Sequence, residues 1–93
     1  MPDMNSGNSL AWDAVPGALS YDVELQSATG VPLASYNVTT ASIPGATLMD
    51  GRAFGNYRAR VRSRDGSGPG SWSTPPFEFA YVGLPPPGNI HVA

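Results

Sequence analysis

All five arginines of this 93-residue chain fall between Arg52 and Arg64, and the chain contains no lysine. Four of them alternate with other residues, at Arg58, Arg60, Arg62 and Arg64. Successive side chains of a β-strand point to opposite faces, so an extended segment places these four on one face. Guanidinium groups bind sulfates, phosphates and carboxylates well. One function of this arginine stripe would therefore be to bind a sulfated glycan, a lipopolysaccharide or a nucleic acid.

A second interpretation of the arginine stripe is structural. Asp22 and Glu24 alternate on an earlier segment, and Glu78 lies on a later one. If the arginine strand lies between these two segments, carboxylates face guanidinium groups across the sheet. Such cross-strand pairs contribute about 0.2–1 kcal/mol each, and often less when they are exposed.

Trp72 is the aromatic side chain expected to support this structural role. Arginine stacks on indole rings, and each exposed contact of this kind contributes about 0.5–1 kcal/mol. We expect the Trp72 ring to lie within about 6 Å of the guanidinium of Arg60 or Arg62. Because three acids and an indole then engage four arginines, we favour a structural ladder over an anion-binding site.

Residues suited to catalysis or metal binding are scarce. The chain has no cysteine and one histidine, His91, which excludes a thiol nucleophile, a thiolate zinc site and a multi-histidine site within one chain. Its seven carboxylates are scattered and form no dense calcium loop. We therefore predict no enzyme activity, no metal and no cofactor. The net charge of -2 and the lack of a long apolar run argue against nucleic acid and membrane insertion.

Period-two alternation, interrupted by glycine and proline at short intervals, predicts an all-β chain. The loop from Pro44 to Ala53 has Leu48 as its aliphatic anchor, and a slip in parity between Leu33 and Tyr36 indicates a bulge or an edge strand. Since each strand has one apolar face, a second sheet must cover it, as in a β-sandwich. Strands are predicted over residues 8–13, 19–26, 31–38, 41–43, 54–64 and 72–82.

Several motifs, in this order, resemble the fibronectin type III family. Trp12 stands where that family has its core tryptophan, and YDVEL at 21–25 resembles the strand that follows. GNYRARVRS at 55–63 is similar to the family's tyrosine-containing strand, and GPGSWS at 68–73 to the lead into its last strand. The resemblance covers residues 8–82.

The resemblance implies an immunoglobulin-like, two-sheet β-sandwich of about seven short antiparallel strands. The first strand is expected to be short or missing, because residues 1–7 show no alternating apolar pattern. The resemblance also implies that Tyr57 is a tyrosine-corner residue and that its strand lies between the Tyr21 strand and the last one. The residues expected to be buried together are Trp12, Tyr21, Val23, Leu25, Tyr57 and Val61.

Residues 1–82 are predicted to form the sandwich, and residues 83–93 a proline-rich linker with a tail strand. The linker sequence GLPPPG is typical of stiff polyproline. The closing NIHVA resembles the first strand of a following domain. Either it begins the next domain of a longer protein, or it pairs in trans with the edge of a neighbouring subunit. In the second case Ile90 and Val92 contact that subunit.

These observations favour a non-catalytic structural and interaction module of an extracellular assembly, and among such assemblies a bacteriophage virion or tail. The stretches AWDAVPGA and RVRSRDG resemble domains of phage tail-tip and bacterial surface proteins. Residues 1–9 lack the regions of a signal peptide, which suits a virion released by lysis. The expected partners are other protein subunits or neighbouring domains, at a virion, extracellular or cell-surface location. The alternatives are a module that binds host glycan or receptor through loops or the arginine stripe, and a spacer of a secreted bacterial enzyme or adhesin.

Overall fold

Two β-sheets and one helical turn make up the computed structural model, which describes residues 1–93. Its elements are β1 (Asp3–Met4), β2 (Ser9–Ala11), β3 (Ser20–Ser27), β4 (Pro32–Val38), β5 (Ser42–Pro44), α1 (Gly45–Leu48), β6 (Gly55–Asp65), β7 (Gly68–Pro69) and β8 (Phe77–Tyr81). The larger sheet has the strand order β1-β8-β6-β3-β4, with β7 paired to β6, and β2 and β5 form the smaller sheet. The chain is thus an all-β sandwich.

Strand β6 is the longest strand and lies between β3 and β8, which is the position that the resemblance implies. Both of its neighbours run antiparallel to it. The register pairs Val23 with Val61 and Glu24 with Arg60, so inward residues face inward residues and acids face arginines. Alternation within β3 and β6 therefore places the core and the charged face on opposite sides of the same sheet.

The core lies between the two sheets. Ile43 of the smaller sheet is buried together with residues of the larger one. Leu48 is fully buried as well, on a helical turn that the sequence analysis treated as loop, because four residues are too few to show a helical period. The Tyr36 hydroxyl donates to the Leu48 carbonyl at 3.2 Å and ties this turn to β4. The largest fully buried side chains are Phe79, Leu25, Ile43, Leu48, Met49 and Val23.

The six residues predicted to be buried together divide into two groups. The buried ones are Tyr21, Val23 and Leu25. The half-buried ones, which pack against the core from its margin, are Trp12, Tyr57 and Val61. The prediction that the six are buried together therefore holds for the first group, whereas the second group packs against the core and stays half-buried. Trp12 and Val61 line an opening between the sheets, and the Tyr57 hydroxyl reaches outward to bond the Ala53 carbonyl at 2.7 Å.

The first strand, β1, is short, and it pairs with β8 in parallel. Antiparallel pairing was expected throughout, so this strand corrects that expectation. Two bonds outside the regular ladder extend the pairing, from Ala80 N–H to the Pro2 carbonyl and from Val82 N–H to the Met4 carbonyl, both at 2.9 Å. Met4 is buried, with 6 % of its surface exposed, and anchors the strand without any apolar alternation around it.

Strand β4 contains the irregularity that the parity slip predicts. Leu33 is an extra residue opposite the register shift between Leu25 and Gln26. Arg52, the one arginine outside the stripe, donates from Nη2 to the Leu33 carbonyl at 3.1 Å. The carbonyl of the bulged residue Leu33 is therefore hydrogen-bonded within the chain.

The last strand begins at Phe77 rather than at Trp72, because Pro75 and Pro76 have no N–H to contribute to a ladder. Residues 83–93, called the arm below, form no helix or strand and are exposed throughout. The molecule measures 60 × 29 × 21 Å, whereas the longest strand spans about 36 Å, so the arm extends away from the sandwich. No helix is long and apolar enough to cross a membrane.

Candidate functional site

Three of the four arginines of the stripe pair closely with carboxylates of β3. Arg60 Nε lies 3.0 Å from Glu24 Oε1, and Arg62 and Arg64 place their Nε atoms 2.8 and 2.6 Å from Asp22 Oδ2. The two acidic side chains are only 12 % and 14 % exposed, so water screens these pairs less than it screens surface ones. The arginines of this part of the stripe are already occupied within the chain.

The fourth arginine has a looser partner. Arg58 Nε lies 3.2 Å from Glu78 Oε1, but its N–H is not directed at the carboxylate and makes no hydrogen bond. Glu78 is 53 % exposed, which makes this pair the most solvated of the set. Its contribution to stability is that of an exposed ion pair, about 0–1 kcal/mol.

Trp72 lies against the middle of the stripe. The guanidinium carbons of Arg60 and Arg62 each stand 4.3 Å from the ring centroid. The segment that carries Trp72 is not a strand, but Ser73 fixes it to β6. Its N–H donates to the Val61 carbonyl at 2.8 Å, and its hydroxyl accepts from the Val61 N–H at 3.0 Å. One indole thus covers two guanidinium groups whose charges are paired with β3.

The two carboxylates of β3 that pair with the arginine stripe ionise more readily than usual. Burial of Asp22 disfavours its charge, but hydrogen bonds from Asn37 and from two arginines outweigh this and lower its pKa from 3.8 to about 2. For Glu24, burial again acts in the opposite direction, and hydrogen bonds from Gln26 and Arg60 lower the pKa overall. Both side chains are therefore anionic at neutral pH, and with Glu78 they offset most of the charge of the stripe.

The edge of the smaller sheet is open. Strand β2 pairs with β5, with Leu10 opposite Ile43. Just beyond this pair, the Trp12 N–H donates to the Ala41 carbonyl at 3.0 Å. In an antiparallel ladder, alternate residues turn their N–H and C=O away from the partner strand. On β2 these residues are Ser9 and Ala11, whose backbone groups have no partner in the chain.

An apolar groove runs beside this open edge. It has a volume of about 450 Å³ and separates β2 from β6 and from the segment that leads into β8. Trp12, Tyr21 and Val61 contribute to its floor, and Phe77, 47 % exposed, contributes to its wall. A second cavity of about 330 Å³ continues it toward β1. The two cavities together are called the open groove below, and they share Leu10, Ala11 and Phe77.

Only one wall of the open groove can hydrogen-bond with an added strand along its length. The β8 side begins with Pro75 and Pro76, which have no N–H. The β2 side presents the free N–H and C=O groups of Ser9 and Ala11. An extended segment placed in the groove would therefore pair with β2 and turn alternate side chains toward Trp12.

The residues singled out in the sequence thus lie in three places. The arginine stripe and Trp72 come together on the outer face of the larger sheet. Ile90 and Val92 lie on the arm and touch neither site, with 90 % and 98 % of their surfaces exposed. The open groove was not predicted from the sequence, although the Pro75-Pro76 pair and the weak first strand are signals for it. No group of three His, Cys, Asp or Glu side chains is arranged to hold a metal ion.

Comparison with protein families, with curated proteins and with solved structures finds no match for this chain.

Proposed function

We propose that this chain is a non-catalytic structural module of the fibronectin type III kind, which makes protein–protein contacts in an extracellular assembly, a bacteriophage virion or tail. The observation that carries the proposal is the open groove beside the unpaired edge of β2. An exposed strand edge beside apolar surface is a template for another chain, and natural proteins leave one open mainly where it is used.

Several contacts support the family part of the proposal. The Tyr57 hydroxyl donates to the Ala53 carbonyl at 2.7 Å, as a tyrosine corner does when it bonds backbone a few residues upstream. Trp12 packs edge-on against Tyr21, with ring centroids 5.5 Å apart. Tyr57 lies on β6 and Trp12 directly follows β2, at the positions where the resemblance expects a tyrosine corner and a core tryptophan.

The glycan- or receptor-binding alternative stands second, because its main candidate surface is already neutralised. Asp22, Glu24 and Glu78 pair with the stripe, and Trp72 covers two of its guanidinium groups. We expect the chain to pass through a heparin column at low salt without delay. The Asp22→Ala variant should be retained more strongly, because it releases Arg62 and Arg64. Salt-dependent binding of the unaltered chain, abolished by Arg60→Ala and Arg62→Ala in a folded protein, would favour the alternative.

Mass spectrometry of purified virions tests the proposed function. Particles from a lysed culture that produces this chain are banded on a density gradient, and peptides of the chain are quantified against the soluble fraction. We expect the chain in the particle band at a fixed ratio to the other structural proteins. Recovery only in the soluble fraction, or only within a secreted enzyme or adhesin, would contradict a virion role.

A further inference from the structure

We propose that the open groove of one copy binds residues Asn89–Ala93 of a second copy as an added strand on β2. The proposal rests on the protein-contact function above and specifies its partner and its site. Its starting point is a mismatch within the chain: β2 has free backbone groups beside an apolar groove, and the arm has apolar side chains with nothing to cover them.

The length and pattern of the arm fit the groove. Residues 89–93 in an extended conformation span about 17 Å, which equals the span of residues 9–13 along β2 and just beyond it. Ile90 and Val92 alternate around His91, so both point to the same face of a strand. With that face toward Trp12, the two aliphatic side chains enter the groove and His91 faces solvent.

The hydrogen-bonding groups also match. Ser9 and Ala11 offer N–H and C=O groups at alternate positions, which is the pattern that an incoming strand requires. Residues 89–93 include no proline, so every residue of the added strand can donate. Leu10 points inward and Ala11 outward, so Ala11 lies on the solvent face where His91 of the added strand would lie.

The arm extends away from the groove of its own copy. It leaves the sandwich beside Met4, which lines the near end of the open groove, and the 60 Å length of the molecule shows that it continues outward instead of folding back along β2. Residues 83–88 carry three consecutive prolines, and as polyproline they cover about 19 Å without reversing direction. With one arm and one groove per copy, mutual exchange of arms gives a closed dimer and head-to-tail addition gives chains or rings.

Sedimentation of the full chain gives the first test. We expect the mean mass to rise from that of a monomer to that of a dimer or larger assembly between about 10 µM and about 1 mM, with a Kd on the order of 100 µM for so small an interface. The variant Ile90→Asp with Val92→Asp should weaken association at least about tenfold, because two charges replace the buried aliphatic groups. The matched control His91→Ser should associate like the unaltered chain. A monomer throughout this range, or equal association of both variants, would overturn the proposal.

A cross-link identifies the site, and the absence of native cysteine makes it specific. Chains carrying Ala11→Cys and chains carrying His91→Cys are mixed and mildly oxidised, and we expect a heterodimer. The control pair, Thr29→Cys with His91→Cys, should give none, because Thr29 lies in the hairpin turn between β3 and β4. If one chain carrying both Ala11→Cys and His91→Cys closes on itself in dilute solution, its own arm fills the groove and the proposal is wrong.

These results are separable from those that test the proposed function. A monomeric chain recovered in virions would refute strand addition and leave the virion function standing. A chain that associates through its arm but is absent from virions would do the reverse.

Discussion

The arginine stripe and the open groove lie on the same small sandwich and differ in how far their interactions are satisfied. Across the stripe, carboxylates of β3 and β8 meet the arginines of β6 at 2.6–3.2 Å, and an indole covers the middle. Along the groove, a strand edge has free N–H and C=O groups and the wall is apolar. The region with the most charge is therefore the one with the least left to bind.

This contrast teaches where to look for function in a module of this kind. Four alternating arginines form a motif that is visible in the sequence, whereas a strand edge without a partner produces no motif. Paired charges on neighbouring strands stabilise the fold. A strand edge without a partner does not stabilise the single chain and stays free to pair with another chain. We therefore expect contact through the edge.

The largest expected effect comes from removing the carboxylate shared by two arginines. Asp22→Ala leaves Arg62 and Arg64 without their acceptor and removes one of the two hydrogen bonds that the Asn37 amide donates. We expect a loss of about 2 kcal/mol in the free energy of unfolding, measured by urea denaturation. Glu78→Ala removes the exposed partner of Arg58, is the matched control and should reduce the free energy of unfolding by less than about 0.5 kcal/mol. Equal losses in the two variants would break the claim that the stripe is held mainly through β3.

Acid titration sharpens the same point. The pKa of Asp22 is lowered in the folded chain, so its contribution to stability is complete above its ordinary pKa of 3.8 and is lost as the pH falls toward 2. With allowance for solvent screening, we expect about 1–2 kcal/mol to disappear over this interval. Glu24 acts in the same direction. In Asp22→Ala the decline should be shallower, and an identical pH profile of unfolding in both proteins would refute this assignment.

The indole comes next in expected effect. Trp72→Ala removes the ring that contacts Arg60 and Arg62 but leaves their ion pairs in place. A loss of about 1 kcal/mol is expected in thermal or urea unfolding, because the two cation–π contacts are partly exposed. Trp72→Phe should retain part of this. If Trp72→Ala changes nothing, the indole lies on the stripe without stabilising it.

The smallest effect on stability is expected at the groove. The N–H of Ala11 points away from β5, so Ala11→Pro removes no hydrogen bond of the isolated chain and should change stability by less than about 0.5 kcal/mol. The same variant removes a donor that the added strand needs and should weaken association. Ala11→Ser is the control for both measurements. Severe destabilisation of Ala11→Pro would show that this edge is already paired within the chain.

The sequence predicts regular, local features well and long-range gaps poorly. Alternation around Tyr21 and Tyr57 is enough to place β3 and β6, and their parity puts the acids beside the arginines. The helical turn around Leu48 is too short to show a helical period. Met4 lies in a sequence segment without apolar alternation, so nothing in the pattern marks it as core. The open groove depends on what is absent beside β2, and only indirect signals, the Pro75-Pro76 pair and the weak first strand, point to it in the sequence.

Hydrogen exchange of the Ser9 and Ala11 amides, followed by NMR in the full chain, tests the central claim most directly. In dilute solution both amides should exchange far faster than the Leu10 amide, which pairs with β5. In concentrated solution they should become protected in the unaltered chain, and remain fast in the variant Ile90→Asp with Val92→Asp. Two results would contradict an edge that is open in one copy and filled by the next: protection of both amides at every concentration, or fast exchange of both amides in dilute and concentrated solution alike.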